Sequence, residues 1–526
     1  MEVLFFNHSK IACGVYQYGL RLYNILKKTQ GINYIYKEIE SEDEYLNILE
    51  KYKTVTIIIY NYHVCTMPWL FNPDRSKLNI GITHEVDIAG SYYNYINNVF
   101  NIHIDIDPSS NSKYSIPRPI FENIENLSVQ DEEIKNFIDY KEENVPIFGS
   151  FGFAFEGKGF HKIIKYVNEQ YDNAIIKLVI PMAYFDSQKE QNNLIIRENC
   201  INSNYKNGIK LMLCHKFFTN EEILLFLKSN TANIFLYDYM EGRGISSVID
   251  YALSVKVPLV ISDSFMFRHI YSDDICIYKN DIETCIKNSL EHCNKFLDEY
   301  SHKNMINKFK NIIMNFSNSQ ASQDIFVINC LNGKRNGIYI EIGSHCPNSF
   351  TNNTFILEKI YNWKGLLVEY DTTFEESYKK SRPNSQYIIN DARNINYREF
   401  LDSDFPLNID YLQIDLDVNN RSTLDVLNIF DSTVFEKYKF ATITFEHDIY
   451  TGDWFDTRNI SRQIFKKNGY VLVFPDVKVY FENDYKPFED WYVHPDLVDM
   501  NFINKIKTED SLFHEDIREI IFKNSC

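Results

Sequence analysis

Carboxylates follow two successive predicted strands near residue 340. Gly337–Glu341 and Gly365–Glu369 are apolar runs of strand length, and a predicted helix over Thr354–Tyr361 separates them. The first strand runs into Gly343. A turn without side-chain bulk, followed by a carboxylate such as Glu369 at the end of the next strand, suits a ligand with a ribose diol. Gly343 alone is weak evidence, because no GxGxxG pattern surrounds it and a plain turn also uses glycine.

Further ionisable residues lie at the ends of two later predicted strands, the fourth and the fifth after residue 317. The fourth strand ends in Asp415 and Asp417, and the fifth runs into Glu446 and His447. A hydroxyl is a poor nucleophile, so a transferase that acts on it needs a base to take its proton. The pattern predicts His447 as that base, with Asp415 or Glu446 orienting it or acting instead. A structural histidine is the alternative, and a divalent metal on Asp415 and Asp417 is not favoured, because no third ligand is evident.

Candidate phosphate-binding features occur in the first 316 residues. One glycine opens a helix after the first strand, and a lysine between two glycines follows a later strand, so both can approach a diphosphate. A turn of small residues then opens another helix, whose amide groups would face anionic oxygens. The predicted substrate-binding residues are Gly14, Lys158, Glu241, Gly242, Arg243, Gly244, Ser246 and Asp250. Ordinary strand-to-helix turns are the alternative for these elements.

Histidines of the first block are candidates for contact with an acceptor. His63 and the pair His84–Glu85 follow predicted strands. A lone histidine is more often structural than catalytic, and this alternative stays open for both. His103 lies inside a strand pattern and is predicted to be structural.

Alternating strand and helix patterns position all of these residues. The alternation predicts parallel α/β sheets, and Thr54–Tyr60 is typical of a strand buried on both faces. Turn-forming residues over 107–119 and a charged helix over 130–144 separate the first block from the second. The sequence predicts an α/β protein with three Rossmann-like domains, at residues 1–140, 141–316 and 317–526.

The bulk composition limits the classes of partner. The chain has 526 residues, 44% of them apolar, and a net charge of −18, which disfavours binding to nucleic acid or anionic membranes. The ten cysteines form no CxxC pair, as expected for reduced thiols in the cytoplasm. The N-terminus does not have the pattern of a secretory signal, and no apolar run approaches the roughly 20 residues of a membrane span.

From about residue 317 onward the chain resembles the FkbM-type methyltransferases, which depend on S-adenosylmethionine. The resemblance rests on SQASQDIFV and on GIYIEIGSHCPNSFTNNTFILEKIYNWKGLLVE. The matching residues are Gln323, Asp324, Glu341, Gly343, Pro347, Asn353, Thr354, Leu357, Glu358, Trp363 to Gly365, and Glu369. Asn362 stands where the family usually has glycine.

That resemblance implies a methyltransferase on a Rossmann-like sheet and a set of cofactor contacts. Glu341 and Gly343 would line the methionine end of S-adenosylmethionine. Glu369 would hold the ribose, and Asp391 would lie near the adenine.

Residues 1–316 resemble the GT-B glycosyltransferases of the family-4 type, in which two Rossmann-like domains enclose a nucleotide sugar. The resemblance rests on Lys158–Gly159, the turn Glu241–Gly244, Asp250 and Pro258. Two departures concern the donor site. No arginine lies between residues 148 and 156, where the family usually has one, and Asp250 follows the glutamate of the turn by nine positions instead of eight.

Taken together, these features predict a bifunctional enzyme of glycan assembly. One part would transfer a sugar from a nucleotide-sugar donor to a glycan or glycoconjugate, and the other would O-methylate a sugar hydroxyl with S-adenosylmethionine as cofactor. The alternative is a methyltransferase whose GT-B half is a non-catalytic glycan-binding or docking module. A two-domain oxidoreductase is disfavoured, because no strand is followed by a GxGxxG fingerprint.

Overall fold

A computed structural model describes most of the chain. It covers residues 1–11, 13–74, 77–84, 99–110, 112, 114–182, 188–347 and 352–525, so the predicted acceptor residue Glu85 lies outside the described residues. Two compact units are present. The first comprises residues 1–53, 58–73 and 79–310, and the second residues 54–57, 74–78 and 311–526. The division into three domains with the predicted boundaries remains a prediction.

Two five-stranded sheets contain the strands numbered β1 to β10. The first has the order β2-β1-β3-β4-β5, and the second has the order β10-β9-β6-β7-β8. The strands of the first sheet are β1 (Glu2–Asn7), β2 (Asn33–Glu38), β3 (Ile57–Tyr62), β4 (Leu78–Thr83) and β5 (Ile102–Asp105). Those of the second are β6 (Ile147–Phe151), β7 (Ala174–Val179), β8 (Ile209–Cys214), β9 (Ala232–Phe235) and β10 (Leu259–Ile261).

Parallel pairing dominates these sheets, as the alternation of strands and helices predicts. All six residues of β3 are buried, because helices cover both faces of such a sheet. The helices are α1 (Gly14–Leu26), α2 (Glu42–Lys51), α3 (Glu132–Asp139), α4 (Phe160–Gln170), α5 (Lys189–Ser203), α6 (Asn220–Lys228), α7 (Val248–Val255), α8 (Ile282–Asn294) and α9 (His302–Asn315).

The second unit contains a seven-stranded mixed sheet with the order β13-β12-β11-β14-β15-β17-β16. Its strands are β11 (Ile338–Ile342), β12 (Lys364–Glu369), β13 (Gln386–Ile389), β14 (Asn408–Ile414), β15 (Lys439–Glu446), β16 (Val471–Phe481) and β17 (Asp484–Val493). Strands β11 to β15 pair in parallel, whereas β17 is antiparallel to both β15 and β16. The chain order reverses at β11, between β12 and β14, and ligands of open α/β sheets bind at such a point.

Helices cover this sheet around a core rich in isoleucine, leucine and phenylalanine. They are α10 (Gln323–Cys330), α11 (Phe355–Lys359), α12 (Glu375–Ser381), α13 (Tyr397–Asp404), α14 (Ser422–Ile429), α15 (Phe455–Lys467), α16 (Met500–Ile506) and α17 (His514–Asn524). The α/β class predicted from the sequence is confirmed. Among the described helices, none combines the length and apolar character needed to cross a membrane.

Candidate functional site

A cavity of about 140 Å³ lies in the first unit, between residues of α1 on one side and residues of the second sheet and its helices on the other. The start of α1, the loop after β6 and the start of α7 converge on it. Helix N-termini carry partial positive charge, so two helices that begin at one cavity favour an anionic ligand. Of the predicted substrate-binding residues, Gly14, Lys158 and Ser246 line this cavity.

Two arginines of the cavity wall share one buried carboxylate. Arg21 Nη2 donates to Asp250 Oδ2 at 2.5 Å, and Arg118 Nε donates to the same oxygen at 2.8 Å. The Asp250 side chain is 1% exposed, and that of Arg21 is 10% exposed. Arg21 also lies over the Phe121 ring, with its guanidinium carbon 4.3 Å from the ring centroid. Asp250 therefore anchors the two arginines, and its carboxylate does not line the cavity.

The charge of this cluster is not balanced. Arg21 Nε and Nη1 are buried, and no acceptor reaches them within the described part of the chain. Arg21 and Arg118 contribute two positive charges against the single negative charge of Asp250. Burying an uncompensated charge is unfavourable, so an anion in the cavity would stabilise the arrangement.

Lys158 adds a third cation to the cavity wall. Its Nζ lies 3.9 Å from the centroid of the Tyr237 ring, which also lines the cavity. The Tyr237 hydroxyl is buried and has no hydrogen-bond partner among the described residues. The ammonium and the hydroxyl are both donors that a phosphate group could use.

The predicted turn before α7 is present, but most of it lies away from the cavity. Gly242 has φ +82°, a conformation that favours glycine. Glu241 and Arg243 are exposed, and Arg268 Nη1 donates to the Arg243 carbonyl at 3.1 Å. Glu241, Gly242, Arg243 and Gly244 are not among the described residues that line the cavity. Their role in binding a sugar stays a prediction.

The candidate acceptor histidine His84 is held inside the first sheet. Its Nε2 lies 2.6 Å from Asn61 Oδ1, and its ring meets the Tyr18 ring edge-on, with the centroids 4.9 Å apart. Burial, together with the positive charge of Arg118, lowers the pKa of His84 well below the ordinary histidine value. A neutral, hydrogen-bonded imidazole is the consequence.

In the second unit, the turn after β11 approaches the end of β14 closely. Gly343 has φ +86°, and a Cβ at this position would lie 1.6 Å from the carbonyl oxygen of Asp415. Only glycine fits such a contact. The turn without side-chain bulk that the sequence predicts therefore lies at the point where the strand order reverses.

The carboxylate of Glu369 lies beside this turn. Its Oε2 accepts from the backbone amide of His345 at 2.6 Å, and its Oε1 accepts from that of Asp371 at 2.9 Å. The side chain is partly exposed at the carboxyl edge of the sheet. The two amides orient the carboxylate, which still presents lone pairs toward solvent.

Glu341 and Asp391, the other predicted cofactor residues, have protein partners. Glu341 is buried and accepts from the Asn353 amide at 3.0 Å and from the Thr354 hydroxyl at 2.5 Å. Burial raises the pKa of Glu341 to about 7. Asp391 pairs with Arg393, whose Nη2 lies 2.6 Å from Asp391 Oδ2. Glu341 thus secures the loop before α11 from inside the fold.

Three carboxyl groups meet where β14 and β15 end. Glu446 is hydrogen-bonded to both Asp415 and Asp448. Burial and the negative charge of Asp415 raise the pKa of Glu446 well above its ordinary value, which favours the protonated form of Glu446. We call this group, Asp415, Glu446 and Asp448, the carboxyl triad. Asp448 was not predicted as a site residue, although it adjoins two residues that were.

His447 lies apart from the carboxyl triad. Its ring is fully buried, with Nε2 3.4 Å from Asp476 Oδ1 and 3.6 Å from Asp490 Oδ1. Burial opposes its charge, but the proximity of these two carboxylates raises the pKa of His447. The spacing of the three side chains would suit a metal. However, Arg462 already pairs with both aspartates and Arg458 pairs with Asp476, which leaves little negative charge for a cation.

Comparisons with known proteins were made for the whole chain. No protein-family profile and no curated sequence matches it. Its fold is similar to solved structures of glycosyltransferases over about 60% of its length. They include Anabaena HepE in complex with UDP and glucose (11% identity, 60% of this chain, 100% of that chain, TM-score 0.41). A glycosyltransferase from Rickettsia africae (13% identity, 59% and 97%, TM-score 0.42) and an alpha-glucosyltransferase in complex with UDP (14%, 60% and 99%, TM-score 0.37) are also similar.

Proposed function

We propose that the first unit is a glycosyltransferase that binds the diphosphate of a nucleotide sugar in its cavity. The observation that carries the proposal is the excess of positive charge there. Arg21, Arg118 and Lys158 line the cavity, and a single carboxylate, that of Asp250, pairs with the two arginines. A diphosphate supplies the missing negative charge and can accept hydrogen bonds from the unpartnered guanidinium nitrogens of Arg21.

The same cations would assist the chemical step. When the bond between the anomeric carbon and the diphosphate oxygen breaks, negative charge grows on the phosphate. Cations that are already in place stabilise that charge without further reorganisation. The arginine pair would thereby replace the arginine that is missing before Lys158.

Titration calorimetry of the full chain with UDP tests the binding proposal. We expect binding that weakens as salt is added, and a loss of at least about tenfold in affinity for Arg21→Gln. Lys27→Gln removes one positive charge from the residue directly after α1, at an exposed position outside the cavity, and is the matched control. Equal affinities for the wild type and Arg21→Gln would refute the assignment.

The binding measurement also separates the enzyme from the docking module. Release of UDP from UDP-sugars in the presence of a glycan supports transfer. UDP binding without turnover for any donor favours the non-catalytic alternative. One observation favours the non-catalytic alternative. The Asp250 carboxylate, which was predicted to bind substrate, accepts hydrogen bonds from two arginines.

For the second unit we propose S-adenosylmethionine-dependent methylation of a hydroxyl. Glu369 lies beside the Gly343 turn at the switch point and suits a ribose diol. The strand order, with its last strand antiparallel between β15 and β16, is also that of Rossmann-like methyltransferases, which is an analogy at the level of fold. Glu341, being buried, would support the methionine end indirectly through Asn353.

The carboxyl triad supplies the base in this proposal, instead of His447. S-adenosylmethionine, when bound, supplies an electrophilic methyl group. Asp415 or Asp448 would take the proton of the acceptor hydroxyl as its oxygen forms the new bond to carbon. The raised pKa of Glu446 favours its protonated form, which would keep the triad from carrying three adjacent negative charges before the reaction.

Binding of S-adenosylhomocysteine to the full chain tests the cofactor site. We expect Glu369→Gln to lower the affinity by at least about tenfold, because one hydrogen bond from a ribose hydroxyl to a charged acceptor is weakened. Glu375→Gln, at an exposed position on α12, should bind like the wild type. Binding that is unaffected by Glu369→Gln would refute the ribose assignment.

A further inference from the structure

We propose that Tyr450 and Phe481 form an aromatic platform that seats an uncharged sugar ring of the methyl acceptor. The proposal rests on the proposed methyl transfer in the same unit. The two rings have their centroids 5.5 Å apart and are inclined by 56°. Phe481 is 46% exposed, which is unusual for a phenylalanine at the end of a strand.

The hairpin of β16 and β17 separates two aromatic groups. Tyr480 is paired with Tyr485 across the hairpin, and Tyr485 packs against Phe513. Successive residues of a strand point to opposite faces, so Phe481 projects to the other side, where it meets Tyr450. Phe481 therefore does not belong to the packing group that holds the hairpin to the rest of the unit.

The platform adjoins the carboxyl triad. Tyr450 follows Asp448 by two residues. Burial, with the nearby Asp448 carboxylate as the next cause, raises the pKa of Tyr450 to about 12. The phenol thus keeps its proton over the ordinary pH range and can donate a hydrogen bond to a ligand.

A sugar ring fits this combination of surfaces. One face of a pyranose is made of C–H groups, which pack on aromatic rings, and its rim carries hydroxyls, which donate to carboxylates. A wholly apolar ligand would desolvate the triad without pairing its charge, and an anionic ligand would be repelled by it. The surface therefore selects an uncharged ring with hydroxyl donors.

Saturation-transfer NMR of the full chain with cellobiose tests the proposal, and cellobiuronic acid serves as the charged comparison. We expect cellobiose to bind more tightly than the acid, and Phe481→Ala to weaken cellobiose binding by about tenfold. Tyr480→Ala removes a neighbouring ring, 59% exposed, from the opposite face and should bind like the wild type. Tyr450→Ala removes the other ring of the platform and should also weaken cellobiose binding.

The outcomes separate this proposal from the methyltransferase assignment. Cellobiose binding that Phe481→Ala and Tyr450→Ala leave unchanged would overturn the platform, as would the absence of cellobiose binding to the wild type. S-adenosylhomocysteine should bind Phe481→Ala with wild-type affinity. If S-adenosylhomocysteine fails to bind the wild type while cellobiose binds through Phe481, the methyltransferase assignment fails and the sugar site remains.

Discussion

Arg21 Nη2 and Asp250 Oδ2 lie 2.5 Å apart behind the lining of the cavity, and Arg118 donates to the same carboxylate oxygen. The pair joins α1 of the first sheet to α7 of the second. An aspartate that the sequence predicts to bind substrate is here the counter-ion of two arginines. Because two arginines share one carboxylate, the cavity has an excess of positive charge.

Asp250→Asn should destabilise the first unit strongly, because it leaves two guanidinium groups buried without a counter-charge. We expect a loss of about 3–5 kcal/mol in the free energy of unfolding, measured in urea. Added UDP should recover more stability in the variant than in the wild type. Asp238→Asn breaks the half-exposed pair with Lys162 and should cost at most about 1 kcal/mol. Similar losses for the two variants would contradict the buried-cluster interpretation.

Gly343→Ala should disrupt the switch point of the second unit. The new Cβ would clash with the Asp415 carbonyl in addition to the strain of a positive φ. We expect a loss of more than about 2 kcal/mol in unfolding free energy and loss of S-adenosylhomocysteine binding. Gly333→Ala, at φ +70° with no atom within 4 Å, carries the backbone strain alone and should cost about 1 kcal/mol. Equal losses of unfolding free energy for Gly343→Ala and Gly333→Ala would show that the short distance between Gly343 and the Asp415 carbonyl is not critical.

The stability of the second unit should fall as pH rises, because of Glu341. The pKa of its carboxyl is about 7 in the folded chain, against an ordinary value of 4.5. The folded state therefore keeps a proton that the unfolded state releases, so stability is lost between about pH 4.5 and 7 and is constant above. Glu341→Gln should remove this loss, which amounts to about 3 kcal/mol. Urea unfolding at pH 5 and pH 8 measures it, and equal pH dependence in the wild type and the variant would contradict the prediction.

The base for methyl transfer can be identified by comparing two variants. Asp415→Asn should lower the rate of methyl transfer by about 10²- to 10⁴-fold and leave S-adenosylhomocysteine binding intact. His447→Gln should reduce stability, because it breaks the contacts with Asp476 and Asp490, but should leave the pH profile of the remaining activity unchanged. A pH profile altered by His447→Gln and not by Asp415→Asn would restore the histidine as the base.

Local patterns predicted the α/β class and most of the strands, but missed β2 and, in the second unit, β17. That strand contains Glu489 and Asp490, which are buried, and charged residues do not indicate a buried strand. Glu489 accepts from Gln323 and Trp491, and Asp490 pairs with Arg462. These partners are distant in sequence, except for Trp491, so the pairing that permits the burial was not evident.

The sequence by itself indicated the strand ends at the candidate cofactor site, because apolar runs of strand length mark the strands and glycines mark the turns. It placed Gly343 and Glu369 at two strand ends, and Glu446, His447 and Asp448 in one row. Only the tertiary structure decided which of these three side chains lie beside Asp415. The side of the sheet to which each one points depends on how β15 pairs with β14 and β17. The tertiary structure also decided the partners of Asp250, since an ion pair between distant segments leaves no local pattern in the chain.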